Sequence, residues 1–173
     1  MTDVIVLNGG SSSGKTSLAR ALQRLLLPTP WLTLSIDDLI AALPASGGGV
    51  DIGPNGEVTV TAAFHTLERA WSVGVAAMAS AGAPVIVDDV FLGGSDSQNR
   101  WRSALDGLDV LWVGVRCAPK VAVSREAARG DRVAGMAARQ AELVHEGVTY
   151  DLVVDTTVGP AEECARRIVA HMG

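Results

Sequence analysis

The run Gly9-Gly-Ser-Ser-Ser-Gly14-Lys15-Thr16 constrains this chain more than any other feature, because it lies between an apolar stretch, Val4 to Leu7, and a stretch with helical spacing, Thr16 to Leu27. It satisfies the spacing G-x-x-x-x-G-K-[ST] in the strand–loop–helix context that gives the spacing a physical meaning. Glycines allow the backbone to turn successive N–H groups inward as an anion nest, and the helix that follows adds the positive end of its dipole. A nucleoside triphosphate is the natural guest, held by Gly9, Gly10, Ser11, Ser12, Ser13, Gly14, Lys15 and Thr16. Lys15 would neutralise the β and γ phosphates and the Thr16 hydroxyl would ligate a bridging Mg²⁺. The chain has only two lysines, Lys15 and Lys120, and one of them is in the motif.

The remainder of the sequence is organised around that first unit. Four more apolar runs without polar alternation, Leu32 to Ile36, Val85 to Val87, Val110 to Val115 and Leu152 to Val154, read as strands buried on both faces. Helical spacing fills Ala62 to Ala81, Gln98 to Leu105, Val121 to Arg129, Gly135 to His145 and Ala161 to Met172. Strands alternating with helices predict an α/β fold in one domain, residues 1–173, with a five-stranded parallel sheet flanked by helices. Gly82, Pro84 and Pro160 punctuate helix and strand ends where such residues belong. Pro44 to Asn55, with four glycines, shows no periodicity and reads as a mobile loop inside the domain.

Composition narrows the partners. A chain with 48% hydrophobic and 19% charged residues folds as an ordinary globular protein, and a net charge of -5 leaves no basic footprint for nucleic acid. No apolar run approaches the roughly 20 residues needed to span a bilayer, and the N-terminal residues lack a signal-peptide pattern, so a cytoplasmic protein without a membrane partner is expected. Cys117 and Cys164 fit neither a zinc spacing nor a disulfide framework and are expected to be reduced, buried thiols. A small-molecule substrate is the expected partner; a homo-oligomer is left open.

Ligands of open α/β sheets bind beyond the carboxyl ends of the strands, and there the sequence places Asp37-Asp38, Asp88-Asp89 and Arg116. All are expected to converge on one cleft with the phosphate loop. Asp88 and Asp89 resemble a Walker-B acid that holds Mg²⁺, either of them being able to face the ion. Asp37 is the candidate that orients an acceptor hydroxyl and takes its proton, the alternative being an N-cap for a helix starting at 38 or 39. Arg125, Arg129 and Arg132 fall at i, i+4 and i+7, one helical stripe that Gly130 and Asp131 interrupt. Arg125 would then reach the nucleotide, and Arg129 and Arg132 would act from a lid that neutralises transition-state charge; the alternative is a solvated face paired with Glu126 and Asp131. His65, His145 and His171 read as surface or packing histidines, and among the tryptophans only Trp71 is placed to line an apolar acceptor pocket.

Several stretches carry a closer resemblance: Leu7-Asn-Gly-Gly-Ser-Ser, Asp88-Asp-Val-Phe-Leu-Gly-Gly94, Asp109-Val-Leu-Trp-Val-Gly-Val-Arg-Cys117, Arg129-Gly-Asp-Arg-Val-Ala-Gly-Met-Ala-Ala138, Val144-His-Glu-Gly-Val148 and Val154-Asp-Thr-Thr157. Together they resemble the chloramphenicol 3-O-phosphotransferase family of P-loop kinases nearly end to end. The resemblance implies a nucleoside-monophosphate-kinase-like fold with an arginine-bearing lid in about 118–145. It also implies ATP- and Mg²⁺-dependent phosphorylation of the primary hydroxyl of chloramphenicol, which confers antibiotic resistance. Carried over by motif, Gly9 to Thr16 match the phosphate loop, Asp37 the catalytic base, and Arg129 and Arg132 the lid arginines. The segment after Pro44 is shorter than the family's. A kinase of another small hydroxylated metabolite or antibiotic is the alternative within the same chemistry. A nucleotide-gated binding protein with slow ATPase activity is the alternative outside it.

Overall fold

A strand whose five residues are all buried, β1 (Val4–Asn8), runs through the middle of the computed structural model, which describes residues 2–44, 46–129 and 135–172. The order along the chain is β1, α1 (Lys15–Leu25), β2 (Leu32–Ser35), α2 (Ile36–Ala41), β3 (Val50–Ile52), β4 (Val58–Val60) and α3 (Ala62–Ser80). It continues through β5 (Val85–Asp89), α4 (Ser95–Ala104), β6 (Val110–Arg116), α5 (Pro119–Arg129), α6 (Met136–Leu143), β7 (Leu152–Asp155) and α7 (Ala161–Met172). Five strands form one sheet in the order β2-β5-β1-β6-β7, every pair parallel. The five apolar runs of the sequence are these five strands.

The central strands β1, β5 and β6 are covered on both faces by helical crossovers, which is why their runs are continuously apolar. The edge strands β2 and β7, read from the sequence as buried on both faces, instead expose Leu32 and Val153. Successive residues point to opposite sides, and the core divides accordingly. Ile5, Leu7, Ile86, Val113 and Val154 pack with Leu18 and Leu22 of α1 and Ile168 of α7. Val4, Val6, Val85 and Val87 pack on the other face with Val75 of α3 and Trp101 of α4. Leu18, Leu22 and Ile168 are fully buried, each contributing about 1.5–3 kcal/mol of transfer free energy. Among the described residues no helix is long and apolar enough to cross a membrane. Both cysteines are free, with Cys164 buried and Cys117 only half-buried.

Two expectations need correction. The segment read as a mobile loop, Pro44 to Asn55, instead carries β3, the first strand of an antiparallel hairpin with β4 in which Val50 pairs with Val60 and Ile52 with Val58. Three-residue strands are too short to display a period, and the adjacent glycines dilute what pattern there is. Its turn is closed by the Gly53 N–H donating to Glu57 O and by Gly56 at φ 77°, a left-handed conformation in which glycine carries no Cβ penalty. The second correction concerns α2, which begins at Ile36. Its N-cap is Ser35: the Ser35 Oγ accepts from the Asp37 N–H and the Asp38 carboxylate accepts from the Ser35 N–H, a reciprocal capping arrangement. Asp38 is therefore the acid spent on the helix start, and Asp37 is not an N-cap.

Candidate active site

The C-terminal ends of β1, β2 and β5 open into a cleft of about 890 Å³, which the hairpin, α3, α4, α5 and α6 also line. Its phosphate end is the loop between β1 and α1. Ser12 at φ 57° and Gly14 at φ 92° give the loop the backbone turns that aim successive amides inward. A Cβ on Gly9 would lie 2.5 Å from the Val115 carbonyl oxygen, so β6 leaves room there only for glycine, and one on Gly10 would lie 3.1 Å from Gln140, a contact α6 would have to yield to by a few tenths of an ångström. The Ser11 N–H donates to Gln140 Oε1 at 2.7 Å, and Thr156 Oγ1 donates to the Ser13 carbonyl, fixing the loop from both sides.

Of the loop's chemistry-bearing groups, Ser11, Ser12, Lys15 and Thr16 line the cleft, and the Ser13 hydroxyl lies against Gly9. Lys15 Nζ donates to the Gly9 and Gly10 carbonyls at 2.8 and 3.0 Å and lies 3.8 Å from Asp88 Oδ1. Thr16 Oγ1 donates to Asp88 Oδ2 at 2.8 Å. The hydroxyls of Ser11, Ser12 and Ser13 are buried without a hydrogen-bond partner. A polyanion with a hard cation fits this donor set: inward amides, a lysine, three unpartnered hydroxyls, and a hydroxyl–carboxylate pair suited to Mg²⁺, which keeps much of its own water.

Strand alternation separates the two acids that the sequence leaves equivalent. Asp88 shares a face with Ile86 and reaches Thr16 and Lys15. Asp89 points to the opposite face, where its carboxylate accepts from the Trp101 indole and the Val90 N–H. Burial pushes the Asp89 carboxyl up to about 6 despite those two donors, and the nearby Glu68 adds to the rise. Asp88 and not Asp89 is thus turned toward the loop, although both border the cleft.

Asp37 is exposed on the cleft wall, carried there by the first turn of α2. Arg125 and Arg129 of α5 line the same cleft. Arg125 donates through Nη2 to Thr156 O at 2.7 Å and through Nη1 to Cys117 Sγ at 3.4 Å; its Nη1 lies 3.6 Å from the place a Gly14 Cβ would occupy. Arg132 and Asp131, with Gly130, lie outside the described residues. Glu126 is not a partner of a solvated basic face: it is buried, and its carboxylate accepts from the Gly135 N–H at 2.9 Å and the Ala137 N–H at 2.8 Å.

Two other expectations change. Arg116 lies away from the cleft and pairs with Glu142 at 3.2 Å. Trp71 packs on the α3 face of the core rather than lining the cleft. His65 does line it, and its Nδ1 sits 3.0 Å from Glu68 Oε2. Glu68 also accepts from Arg100 Nη2 at 3.2 Å. The His65–Glu68 spacing of three residues on a helix was the one local signal for this group; Arg100 comes from another helix, α4.

Behind the loop, Asn8 Nδ2 donates to Val144 O and to the Tyr150 hydroxyl, both at 2.7 Å, and Asn8 Oδ1 accepts from the Phe91 N–H at 2.9 Å. The Tyr150 hydroxyl lies 2.6 Å from His145 Nδ1. Burial drives His145 down to about 4 and Tyr150 up to about 12, so both are neutral here. His145 is a packing histidine, as its sequence context suggests.

Fold and cleft together define the class: a P-loop kinase of small molecules. The family model for chloramphenicol phosphotransferase-like protein matches residues 2–173, and the chain belongs to that family. The protein named "Putative O-phosphotransferase Rv2636" of Mycobacterium tuberculosis is 32% identical over an alignment 187 positions long, which covers 95% of this chain and 80% of the relative. Among solved structures, a sugar kinase from Janibacter sp. HTCC2649 superposes with a TM-score of 0.71 at 18% identity, covering 99% of this chain and 95% of that one. The Mycobacterium tuberculosis APS kinase CysC, in complex with AMPPNP and APS, gives a TM-score of 0.64 at 16% identity, with coverages of 99% and 97%. Shikimate kinase from Acinetobacter baumannii, in complex with shikimate, gives 0.62 at 14%, with coverages of 99% and 93%. These structures share the fold.

Proposed function

We propose that the protein transfers the γ-phosphoryl group of ATP to a hydroxyl of a small molecule, with the primary hydroxyl of chloramphenicol as the acceptor. The observation that carries this reading is the placement of Asp37 on the wall of the same cleft that the phosphate loop closes at one end. An alcohol seated between them meets a carboxylate on its proton side and the terminal phosphorus on the other. The acceptor oxygen forms the new P–O bond as the bond to the β,γ-bridging oxygen breaks, ADP leaves, and the hydroxyl proton passes to Asp37. Lys15 binds the β and γ phosphates; the amides and hydroxyls of residues 11–13 cradle them. Thr16, backed by Asp88, holds Mg²⁺, which when bound neutralises phosphate charge. Arg125 and Arg129 approach from α5 to offset charge that develops during transfer, a part the resemblance gives to Arg132 as well.

A kinase of another hydroxylated metabolite or antibiotic is the second reading, favoured by the short segment between α2 and α3, whose hairpin supplies the apolar wall of the cleft. Phosphorylation across a panel of hydroxylated compounds, with product analysis, separates the two. For the mechanism the decisive variant is Asp37→Asn: ATP affinity stays near wild type while acceptor phosphorylation falls by about 10² or more. Undiminished transfer, or ATP consumption that no acceptor stimulates, overturns the reading.

A further inference from the structure

Beyond the phosphate end, the described residues of the cleft supply an apolar wall and a carboxylate, Glu68, that Arg100 and His65 share. Val50, Ile52, Val58 and Val60 line it from the hairpin, joined by Phe64 and Met136. Opposite the loop, α3 presents Glu68 and α4 presents Arg100, with Arg100 Nη2 donating to Glu68 Oε1 at 3.2 Å and to Ser97 Oγ at 3.0 Å. The other cationic side chains lining the cleft among the described residues are Lys15 in the loop and Arg125 and Arg129 on α5, so Arg100 is the cation of the α3–α4 side. Its Nε is buried and without a hydrogen-bond partner. The Glu68 side chain is 18% exposed and that of Arg100 32%. At that burial the pair is screened less than a surface pair and its charges largely cancel for anything entering the cleft.

Such cancellation has a consequence for recognition. A carboxylate or phosphate on an acceptor needs a cation it can pair with, and here Arg100 is already engaged while Asp37, Glu68, Asp89 and Asp96 also border the cleft. We propose that Glu68 is a specificity-determining residue: by holding Arg100 it excludes anionic acceptors and leaves the guanidinium to donate to an uncharged polar group. The inference rests on reading this cleft as the acceptor site of a phosphotransferase, and it extends that reading to two residues on α3 and α4. Glu68 acts through Arg100, as a positioning residue, and does not touch the reacting atoms.

The test uses two probes that differ in one charge, N-benzoylserine and its methyl ester, each a primary alcohol with an aromatic body. Their affinities are measured by calorimetry on the full chain loaded with Mg²⁺ and a non-hydrolysable ATP analogue, and their phosphorylation is measured separately with ATP. Wild type is expected to bind the ester about tenfold or more tighter than the carboxylate, since like-charge juxtaposition penalises the wrong partner. Glu68→Gln should shrink that ratio about tenfold by tightening the carboxylate, and the double variant Glu68→Gln, Arg100→Gln should restore it. Arg100→Gln alone should weaken the ester and leave the carboxylate weaker than in wild type, which decides the matter if Glu68→Gln proves unstable. A ratio unchanged in a folded Glu68→Gln, or affinities unchanged in Arg100→Gln, overturns the proposal, as does failure of both probes to bind wild type. A ratio that responds as stated without phosphorylation of either probe keeps the selectivity device and counts against the phosphotransfer reading.

Discussion

Replacing Glu126 with alanine should cost more than any other single change of a charged residue away from the phosphate loop. Its side chain, only 5% exposed, accepts from Gly135 N–H through Oε2 and from Ala137 N–H through Oε1. These amides open α6, whose N-cap residue Gly135 has no side chain to cap them, so Glu126 supplies the missing cap from a neighbouring helix. Hydrogen bonds to a charged group are worth about 1.5–3 kcal/mol each, and an amide left buried costs about 1–3 kcal/mol. Ala137 is fully buried, so its amide carries that penalty, whereas Gly135 is half-buried and regains water. The net loss for Glu126→Ala is then about 3 kcal/mol, or a fall in Tm of about 6–12 °C for a domain of this size. Glu126→Gln keeps one acceptor and turns an amide donor against the other N–H, so roughly half that loss is expected. Urea denaturation followed by circular dichroism reads the difference as a shift in midpoint at constant m. A loss below about 0.5 kcal/mol for Glu126→Ala would refute the capping argument.

Two further outcomes follow from the buried titratable groups and the paired acids. His145, held down near 4, binds its proton later than in the unfolded chain, so its share of stability is present above about 6.5 and is lost as pH falls toward 4. Asp89, raised to about 6, acts oppositely: its share is full below about 3.8 and is lost as pH rises through 6. Urea midpoints should therefore change little between pH 6 and pH 4 in wild type and fall over that window in Asp89→Asn; parallel profiles for the two proteins would contradict this assignment. Asp88→Asn should raise the Mg²⁺ concentration needed for half-maximal ATP turnover by about tenfold, with Asp89→Asn shifting it far less, because only Asp88 reaches Thr16. Equal shifts in a magnesium titration would mean that strand alternation does not separate their roles.

The parts of the fold written in the sequence are those with a strong physical period. The central strands β1, β5 and β6, buried on both faces, cannot read as anything but apolar runs; the edge strands β2 and β7 keep apolar runs although Leu32 and Val153 are exposed, and α1 and α7 keep one apolar side toward the sheet. The hairpin escaped because its apolar residues, Val50, Ile52, Val58 and Val60, face a cleft rather than a core and are flanked by glycines that erase the alternation. Asp88 and Asp89 could be placed at the end of a strand, but which acid faces the loop depends on which side of the sheet α1 covers, a tertiary fact. Glu68 and Arg100 are 32 residues apart on different helices, and no local spacing connects them. Arg116 misled for the complementary reason: the last residue of β6 stands at a strand end, yet α6 supplies Glu142 to hold its guanidinium outside the cleft.

The position of α6 explains why a helix of eight residues matters to a site whose catalytic candidates lie elsewhere. Its N-terminus is held by Glu126, one helical turn before the lid candidate Arg129. Arg139 Nε donates to Asn55 O at 3.0 Å, and a Cβ on Gly56 would lie 2.6 Å from Met136 N, so the hairpin turn rests directly on the helix. Gln140 holds the Ser11 N–H, and the Val144 carbonyl just beyond the helix holds Asn8 at the end of β1. Arginine helix, acceptor wall and phosphate loop are therefore tied to one short rigid body by directional bonds whose geometry tolerates little slippage. If those bonds transmit force as this connectivity implies, Glu126→Ala should weaken nucleotide binding as well as stability, through Gln140 and Ser11, even though Glu126 does not line the cleft. Equilibrium titration with a fluorescent ATP analogue, under conditions where the variant is fully folded, separates the two effects: affinity equal to wild type would leave Glu126 a cap and nothing more.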